Sequence, residues 1–408
     1  MDGFGIPNNA RGLFDPNYLD SCLKLIRLNA GSPRWITERL DFVHKTLRGG
    51  FGKPRLIQDT IDLFLMIANT LVLADNQNVA INRLLEALIR AIDASETELN
   101  SDLKGRLSGV LASFLALHGD LRRGVTTALL ALDHIWDMRD PEAKLHALQC
   151  VMLALGYNAY TELPQAVIDD MLALVETVEN PQLVAETHVL LAHYRNTRSE
   201  DALALEHARL AIDTANDPNI QLRAHMQRAT AFRLRRDFAR SEQCLQDAMS
   251  LNDLVENERR NALVFMQQAG LYLERLDYAR AEKLYRSALK MCKELDLGTL
   301  IPFAKHGLAL VLPYIGKFDE ARELLHDVHD EYLWNRNFLG MAEIRFALAT
   351  CEARAGKPKV ARQFMLAADG LAQRLEESAA RDYLIGAIAN FRRRLDAGEY
   401  NSTRLTAT

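Results

Sequence analysis

The sequence predicts an all-α protein built as an array of helical hairpins, and three observations lead to this prediction. Strong helix formers dominate the 408 residues, which include only 21 Gly and 11 Pro. Residues that cap helices stand directly before prolines at steps of about 40 positions. A pattern of small and aromatic residues also recurs in strict register through the second half of the chain.

Five pairs of a capping residue and a proline mark the expected helix starts. They are Asp15-Pro16, Ser32-Pro33, Asp140-Pro141, Asn180-Pro181 and Asp217-Pro218. The capping oxygen accepts a hydrogen bond from the first turn, and the proline fits the first helical position, where its missing N–H costs nothing. The last three pairs lie about 40 residues apart, which indicates a repeating unit.

Four segments align without gaps at this spacing, namely 235–249, 275–289, 315–329 and 355–369. Their shared positions are a ring (Phe238, Tyr278, Phe318, then Pro358) and two small-residue slots (Ser241, Ala281, Ala321, Ala361, and Ala248, Ala288, Val328, Ala368). The preceding helices carry Ala229, Ala269, Ala309 and Ala349 in register. Small residues let two helix backbones approach closely, and one hairpin cannot bury both of its apolar faces. Neighbouring hairpins are therefore expected to stack.

The same register extends, more loosely, toward the N-terminus and predicts the whole organisation. Hairpins are expected at 56–95, 103–138, 141–178, 181–215, 218–252, 258–296, 300–335 and 340–376, after a helical pair at 15–48. We therefore divide the chain into an N-terminal helical pair (1–52), a repeat array (53–377) and a capping helix with its tail (378–408). Pro313 falls late in one first helix and is expected to end that helix before Gly316.

The repeat resembles the tetratricopeptide (TPR) family, in which one small residue of the first helix meets two small residues of the second. The resemblance is good over 218–376 and loose over 56–215. The period near 40 is similar to the longer-helix variants in kinesin light chains, Rap-type peptide sensors and maltose-activator-type regulators. The resemblance implies a right-handed superhelical solenoid whose first helices line the concave face.

Composition and charge exclude several classes of protein. The net charge is −5 with both signs mixed, so no direct nucleic-acid contact is expected. The five cysteines are widely spaced and form no C-x-x-C pair, which favours free thiols in a reducing cytoplasm. The N-terminus does not read as a signal peptide, and the apolar run 61–74 is too short to span a bilayer. A cytoplasmic location without membrane contact is expected.

No segment carries a clear motif for phosphate binding, metal binding or nucleophilic catalysis. The glycines of 49–54 do not match a phosphate-binding loop, and Pro54 occupies the position of its hydroxyl residue. His326 and His329 share a helical face and could hold a metal, but no third ligand is evident, so surface histidines are the simpler interpretation. The sequence has no recognisable nucleophile motif. We therefore predict that the protein is not an enzyme and has neither a metal nor a cofactor.

Candidate binding residues lie on the first helices of the repeats. Arg223, Met226, Thr230 and Arg233 share one face of 221–236, and the resemblance makes that face concave. Equivalent positions in later repeats add Met266, His306 and Phe346 as groove residues, with Gly270, Leu273, Leu310, Pro313, Thr350 and Ala353 beside them. Such a surface suits an acidic or carboxylate-bearing protein segment with hydrophobic anchors. The alternative is that the arginines pair with neighbouring Asp or Glu.

Two functions are compatible with this surface. The first is a non-catalytic scaffold or adaptor that binds a partner segment in the concave groove. The second is a ligand- or peptide-sensing regulatory module of a signalling or transcriptional system, which the resemblance to long-period sensor arrays suggests. Such a module would need a separate effector partner.

Overall fold

The computed structural model describes residues 101–400, apart from 118–120, 157–163, 256, 296, 299, 335–336 and 376–378. The pairs predicted at 15–48 and 56–95, the segment 49–54 and the tail 401–408 lie outside the described residues. The predicted domain boundaries at 52/53 and 377/378 stay predictions. The chain divides into two compact units, with the boundary between Ala154 and Leu155.

The first unit contains a helical hairpin followed by most of a third helix. Helices α1 (Ser101–Leu117) and α2 (Leu121–Trp136) pack against each other, and α3 (Pro141–Gly156) begins after the cap Asp140, whose carboxylate accepts a hydrogen bond from the Glu142 amide (3.0 Å). A side chain at Gly124 would bring a Cβ to 2.9 Å from the Ala116 backbone nitrogen. Gly124 therefore sets how closely α1 and α2 approach.

The second unit contains twelve further α-helices in the described residues. They are α4 (Gln165–Val175), α5 (Pro181–Thr197), α6 (Asp201–Thr214), α7 (Pro218–Leu234), α8 (Phe238–Val255), α9 (Glu258–Glu274), α10 (Tyr278–Glu294), α11 (Ile301–Val311), α12 (Phe318–Trp334), α13 (Phe338–Arg354), α14 (Pro358–Ala372) and α15 (Ala379–Asp396). The described part of the chain contains no strand. The all-α prediction is confirmed.

Helices of the second unit pair into hairpins that stack in sequence order. Helix α5 packs on α6, α7 on α8, α9 on α10, α11 on α12 and α13 on α14, and each second helix also contacts the first helix of the next hairpin. In addition, each of the first helices α5, α7, α9 and α11 contacts the next first helix along the chain. The first helices therefore form one continuous layer, as a solenoid of TPR-like hairpins requires.

A left-handed residue follows each first helix from α7 onward, and these residues recur every 40 positions. They are Arg236, Leu276, Gly316 and Gly356, with φ of 59°, 63°, 79° and 76°. In each case the amide of the following residue donates a hydrogen bond to the carbonyl five residues earlier. Examples are Asp237 to the Phe232 carbonyl (2.9 Å) and Lys357 to the Glu352 carbonyl (2.8 Å). This 6→1 bond is the Schellman arrangement, which supplies donors to otherwise unpaired carbonyls.

Pro313 ends its helix early, as the sequence predicts. Helix α11 stops at Val311, and a 3-10 turn from Leu312 to Ile315 leads to Gly316. Proline lacks the N–H that a continuing α-helix needs, and the tighter turn accommodates it.

The predicted small residues lie in the core. Ala269, Ala281 and Ala321 are fully buried around Tyr285, which is itself only 8% exposed. The Tyr285 ring also lies directly on Gly307 of α11. The pattern that repeats through the chain is therefore a packing pattern.

Candidate functional site

Each first helix carries the face that the sequence predicts to line a binding groove. We call it the open face and define it by the residues six before, three before, one after and four after each small residue Ala229, Ala269, Ala309 and Ala349. The members are Arg223, Leu263, Phe303 and Glu343; Met226, Met266, His306 and Phe346; Thr230, Gly270, Leu310 and Thr350; and Arg233, Leu273, Pro313 and Ala353. Exposure along this face rises toward α11.

The two arginines predicted to meet a partner are already engaged within the chain. Arg223 of α7 donates to Glu186 of α5 at 2.5 Å, and both side chains are largely buried. Arg233 of α7 pairs with Glu274 of α9. Both arginines therefore follow the alternative interpretation of the sequence, in which they pair with nearby carboxylates. These two contacts join neighbouring first helices.

The other predicted groove residues differ in their accessibility. Met226 is only 5% exposed and packs in the core between α7 and α8, so this position of the open face is not accessible to a partner. The Thr230 hydroxyl donates to the Met226 carbonyl (3.2 Å). Met266 is half-buried against the core, and Phe346 packs edge-on against Phe391 of α15 with ring centroids 5.5 Å apart. Pro313 and Ala353 are buried.

The most exposed apolar part of the open face belongs to α11. Phe303 is 48% exposed and Leu310 is 36% exposed, and they lie seven residues apart, two turns along one side of the helix. His306 lies between them and is half-buried. Glu343 occupies the position of Phe303 on the next first helix, α13. We call Phe303, His306, Leu310 and Glu343 the 303–343 site.

Glu343 is the unusual member of this site. Its carboxylate is half-buried, and among the described residues it has neither a hydrogen-bond donor nor a cation as a partner. Burial alone raises the pKa of Glu343 to about 7. A half-buried carboxyl group without a partner costs stability, and such groups concentrate at functional sites.

Tyr332 of α12 links the histidine and the carboxylate of the site. Its ring lies edge-on to His306, with centroids 6.5 Å apart, and burial together with the charges of Glu343 and Glu331 raises the pKa of Tyr332. Burial lowers the pKa of His306 to about 4, so this imidazole is neutral at pH 7. The 303–343 site is therefore apolar and neutral except for one carboxyl group.

Phe303 and Glu343 were not among the residues that the sequence reasoning selected. The signal that finds them is the repeat itself, because Arg223 advanced by the 40-residue period reaches Leu263, Phe303 and Glu343. Of these four residues, the sequence prediction named only Arg223. The exposure of Phe303 and the lack of a partner for Glu343 depend on neighbouring helices, and no pattern in the sequence reports them.

An aromatic stack crosses the far end of this face. The Arg354 guanidinium lies 3.9 Å from the Tyr314 ring centroid and donates to the Pro313 carbonyl (3.3 Å). Tyr314 stacks in turn on Tyr278, with centroids 4.5 Å apart. Arg354 is therefore also engaged within the chain.

A pair of buried histidines joins α5 and α6, remote in sequence from the 303–343 site. The Nδ1 atoms of His188 and His207 are 3.2 Å apart, so at least one ring must be neutral to accept the hydrogen bond. Burial lowers the pKa of both, and that of His207 falls to about 4, helped by the charges of His188 and Arg195. The charges of Glu176 and Glu206 partly oppose this lowering of the His188 pKa.

The histidine pair predicts acid sensitivity. The unfolded chain takes up these protons near pH 6.5, whereas folded His207 resists them until about pH 4. Stability should fall as the pH drops through that window, by on the order of 1–3 kcal/mol. Urea unfolding at pH 7.5 and pH 5 measures it, and His188→Leu with His207→Leu should flatten the dependence. The exposed His326→Gln is the control, and an equal flattening by it would refute the assignment.

The four cysteines in the described part of the chain are buried. Cys150, Cys244, Cys292 and Cys351 are buried free thiols, and burial raises the pKa of Cys292 and Cys351 to about 11. No group of three or more His, Cys, Asp or Glu side chains within the described residues could hold a metal ion. Over the same residues, no helix combines the length and the apolar character needed to cross a bilayer.

The stacked hairpins and the continuous first-helix layer define a TPR-like helical repeat fold. Solved structures agree with this fold. The chain is similar to a Rap protein crystallised with competence and sporulation factor, with 13% identity and a TM-score of 0.53 over 83% of this chain and 99% of the other. It is also similar to a signal-transduction ATPase of the STAND class from Pyrococcus horikoshii that has a tetratricopeptide-repeat sensor.

In that second comparison the identity is 13% and the TM-score is 0.50, over 84% of this chain and 52% of the other. The chain thus spans about half of the STAND protein's length. No protein-family model matches the sequence, and no curated protein matches it either.

Proposed function

We propose that this chain is a non-catalytic TPR-like scaffold or adaptor that binds a segment of a protein or peptide partner on the open face of its first helices. One observation carries the proposal: the open face exposes two apolar side chains of α11, Phe303 and Leu310, beside a carboxyl group without a partner. Exposed apolar side chains beside an unsatisfied polar group are typical of a recognition surface.

The partner's chemistry follows from which side chains remain available. Arg223 and Arg233 are engaged with Glu186 and Glu274, so these arginines give an acidic partner no support. The apolar anchors of α11 remain available to hydrophobic side chains of the partner. We expect the complex to form in the cytoplasm, where free thiols such as Cys292 persist.

The direct test is selection from a synthetic library of random hexapeptides with the full chain immobilised. We expect enriched peptides that bind the parent and lose at least about tenfold in affinity on Phe303→Ser with Leu310→Ser, because two buried apolar contacts disappear. Leu366→Ser is the matched control, since Leu366 is 55% exposed but lies on a second helix, α14. A library without binders, or equal losses in both variants, would contradict the proposal.

A ligand- or peptide-sensing regulatory module is the second candidate function. The likeness in fold to a Rap protein crystallised with a competence and sporulation factor, and to a STAND protein with a repeat sensor, favours it. A sensor must change shape on binding, whereas an adaptor need not. Small-angle scattering with and without a selected peptide separates the two, because only a sensor changes its radius of gyration.

A further inference from the structure

We propose that Glu343 is the anchor for a cationic side chain, lysine or arginine, of the bound peptide, and that the neighbouring α11 residues hold an apolar side chain of the same peptide. This inference rests on the proposed function and specifies the ligand of the 303–343 site. It makes the partner a basic and apolar segment.

The charges of the open face lead to this assignment. Arg223 and Arg233 have carboxylate partners, and Arg354 lies on Tyr314. Lys305, which neighbours His306 in sequence on α11, is bonded to Asp327 at 3.0 Å. Glu343 alone among these charged groups has no partner of opposite sign within the described residues. A cation from outside the chain would complete the arrangement.

Desolvation makes this carboxylate a stronger anchor than a surface glutamate. Charges attract more strongly where water is partly excluded, and an ammonium or guanidinium group donates charge-assisted hydrogen bonds to carboxylate oxygens. Tyr332, whose pKa the charge of Glu343 helps to raise, lies edge-on to the neutral imidazole of His306. A cation bound there would pair with Glu343 where water is partly excluded.

The spacing of the helices limits the peptide sequence. Packed helices lie about 8–10 Å apart, and an extended chain advances about 3.3 Å per residue. A peptide that places its cation at Glu343 on α13 reaches Phe303 on α11 two or three residues away, whereas Leu310 lies about 10 Å further along that helix. The expected motif is a basic residue and a bulky apolar residue separated by one or two positions.

The test uses the same hexapeptide library with the full chain and its Glu343→Gln variant. Parent selections should enrich lysine or arginine two or three positions from an apolar residue, and Glu343→Gln selections should lose the basic preference. For one enriched peptide, Glu343→Gln should weaken binding by about 10- to 100-fold, whereas replacement of the lysine by norleucine should abolish that difference.

A matched control separates charge at this site from charge in general. Glu323→Gln removes an exposed carboxylate of α12, and its affinity for the same peptide should equal that of the parent. Enriched peptides without a basic preference, or with one that survives Glu343→Gln, would overturn the anchor while leaving the proposed function intact. A library that yields no binder at all would overturn both.

Discussion

Gly307→Ala is expected to destabilise the chain by about 1–3 kcal/mol, even though alanine is the better helix former. A Cβ at Gly307 would lie 2.2 Å from Cε1 and 2.5 Å from Cζ of the Tyr285 ring. Tyr285 is buried between α10 and α11, so the ring cannot move without disturbing the core around Ala281. Urea unfolding at neutral pH measures the loss.

Two further variants make this prediction specific. Gly370→Ala on α14 meets nothing within 4 Å, so it should stabilise the chain by up to about 1 kcal/mol through helix propensity alone. Tyr285→Leu should remove most of the additional cost of Gly307→Ala, because the smaller side chain leaves room for the methyl group. If Gly307→Ala behaved like Gly370→Ala, the described contact between α10 and α11 would be wrong.

Glu343→Gln should raise the stability of the chain at pH 8. The carboxyl group keeps its proton in the folded chain up to about pH 7 but loses it near pH 4.5 in the unfolded chain. The folded state therefore binds more protons between these values, and stability falls as the pH rises through them. Because the side chain is half-buried, we expect a gain of about 1–2 kcal/mol for the neutral amide.

The pH dependence distinguishes this effect from a general change in packing. The gain from Glu343→Gln should be largest above pH 7 and should shrink toward pH 4.5, as measured by urea unfolding at a series of pH values. Glu323→Gln, which removes an exposed carboxylate, should leave stability nearly unchanged at every pH. A constant gain at all pH values would show that ionisation of Glu343 is not the cause.

Sequence reasoning could predict the fold because the packing residues repeat. Ala269, Ala281 and Ala321 recur in register and are all buried, and Asp140, Asn180 and Asp217 each precede a helix that begins at a proline. These signals are local or periodic, so a single chain reveals them. Gly316 and Gly356 likewise indicate helix ends, whereas the left-handed Arg236 and Leu276 carry no sign of that conformation.

The surroundings of the candidate site residues could be predicted less well, because they depend on which helices face each other. Arg223 and Arg233 lie on the expected helix, but their partners Glu186 and Glu274 come from the helices before and after it. Met226 has the right position in the repeat and is nevertheless buried. Glu343 is the opposite case, because a glutamate in a helix is usually a solvent-exposed surface residue, and only the structure shows that this one is half-buried.

Because the Arg354 guanidinium lies on Tyr314, and Tyr314 stacks on Tyr278, one chain of contacts passes through three successive hairpins. In a linear repeat protein each unit interacts only with its neighbours, and unfolding can begin at an end and spread. Both contacts join neighbouring hairpins and share the Tyr314 ring, so the two successive interfaces within residues 278–354 are coupled to each other. This part of the array should therefore open as one cooperative unit, and it holds the 303–343 site within it.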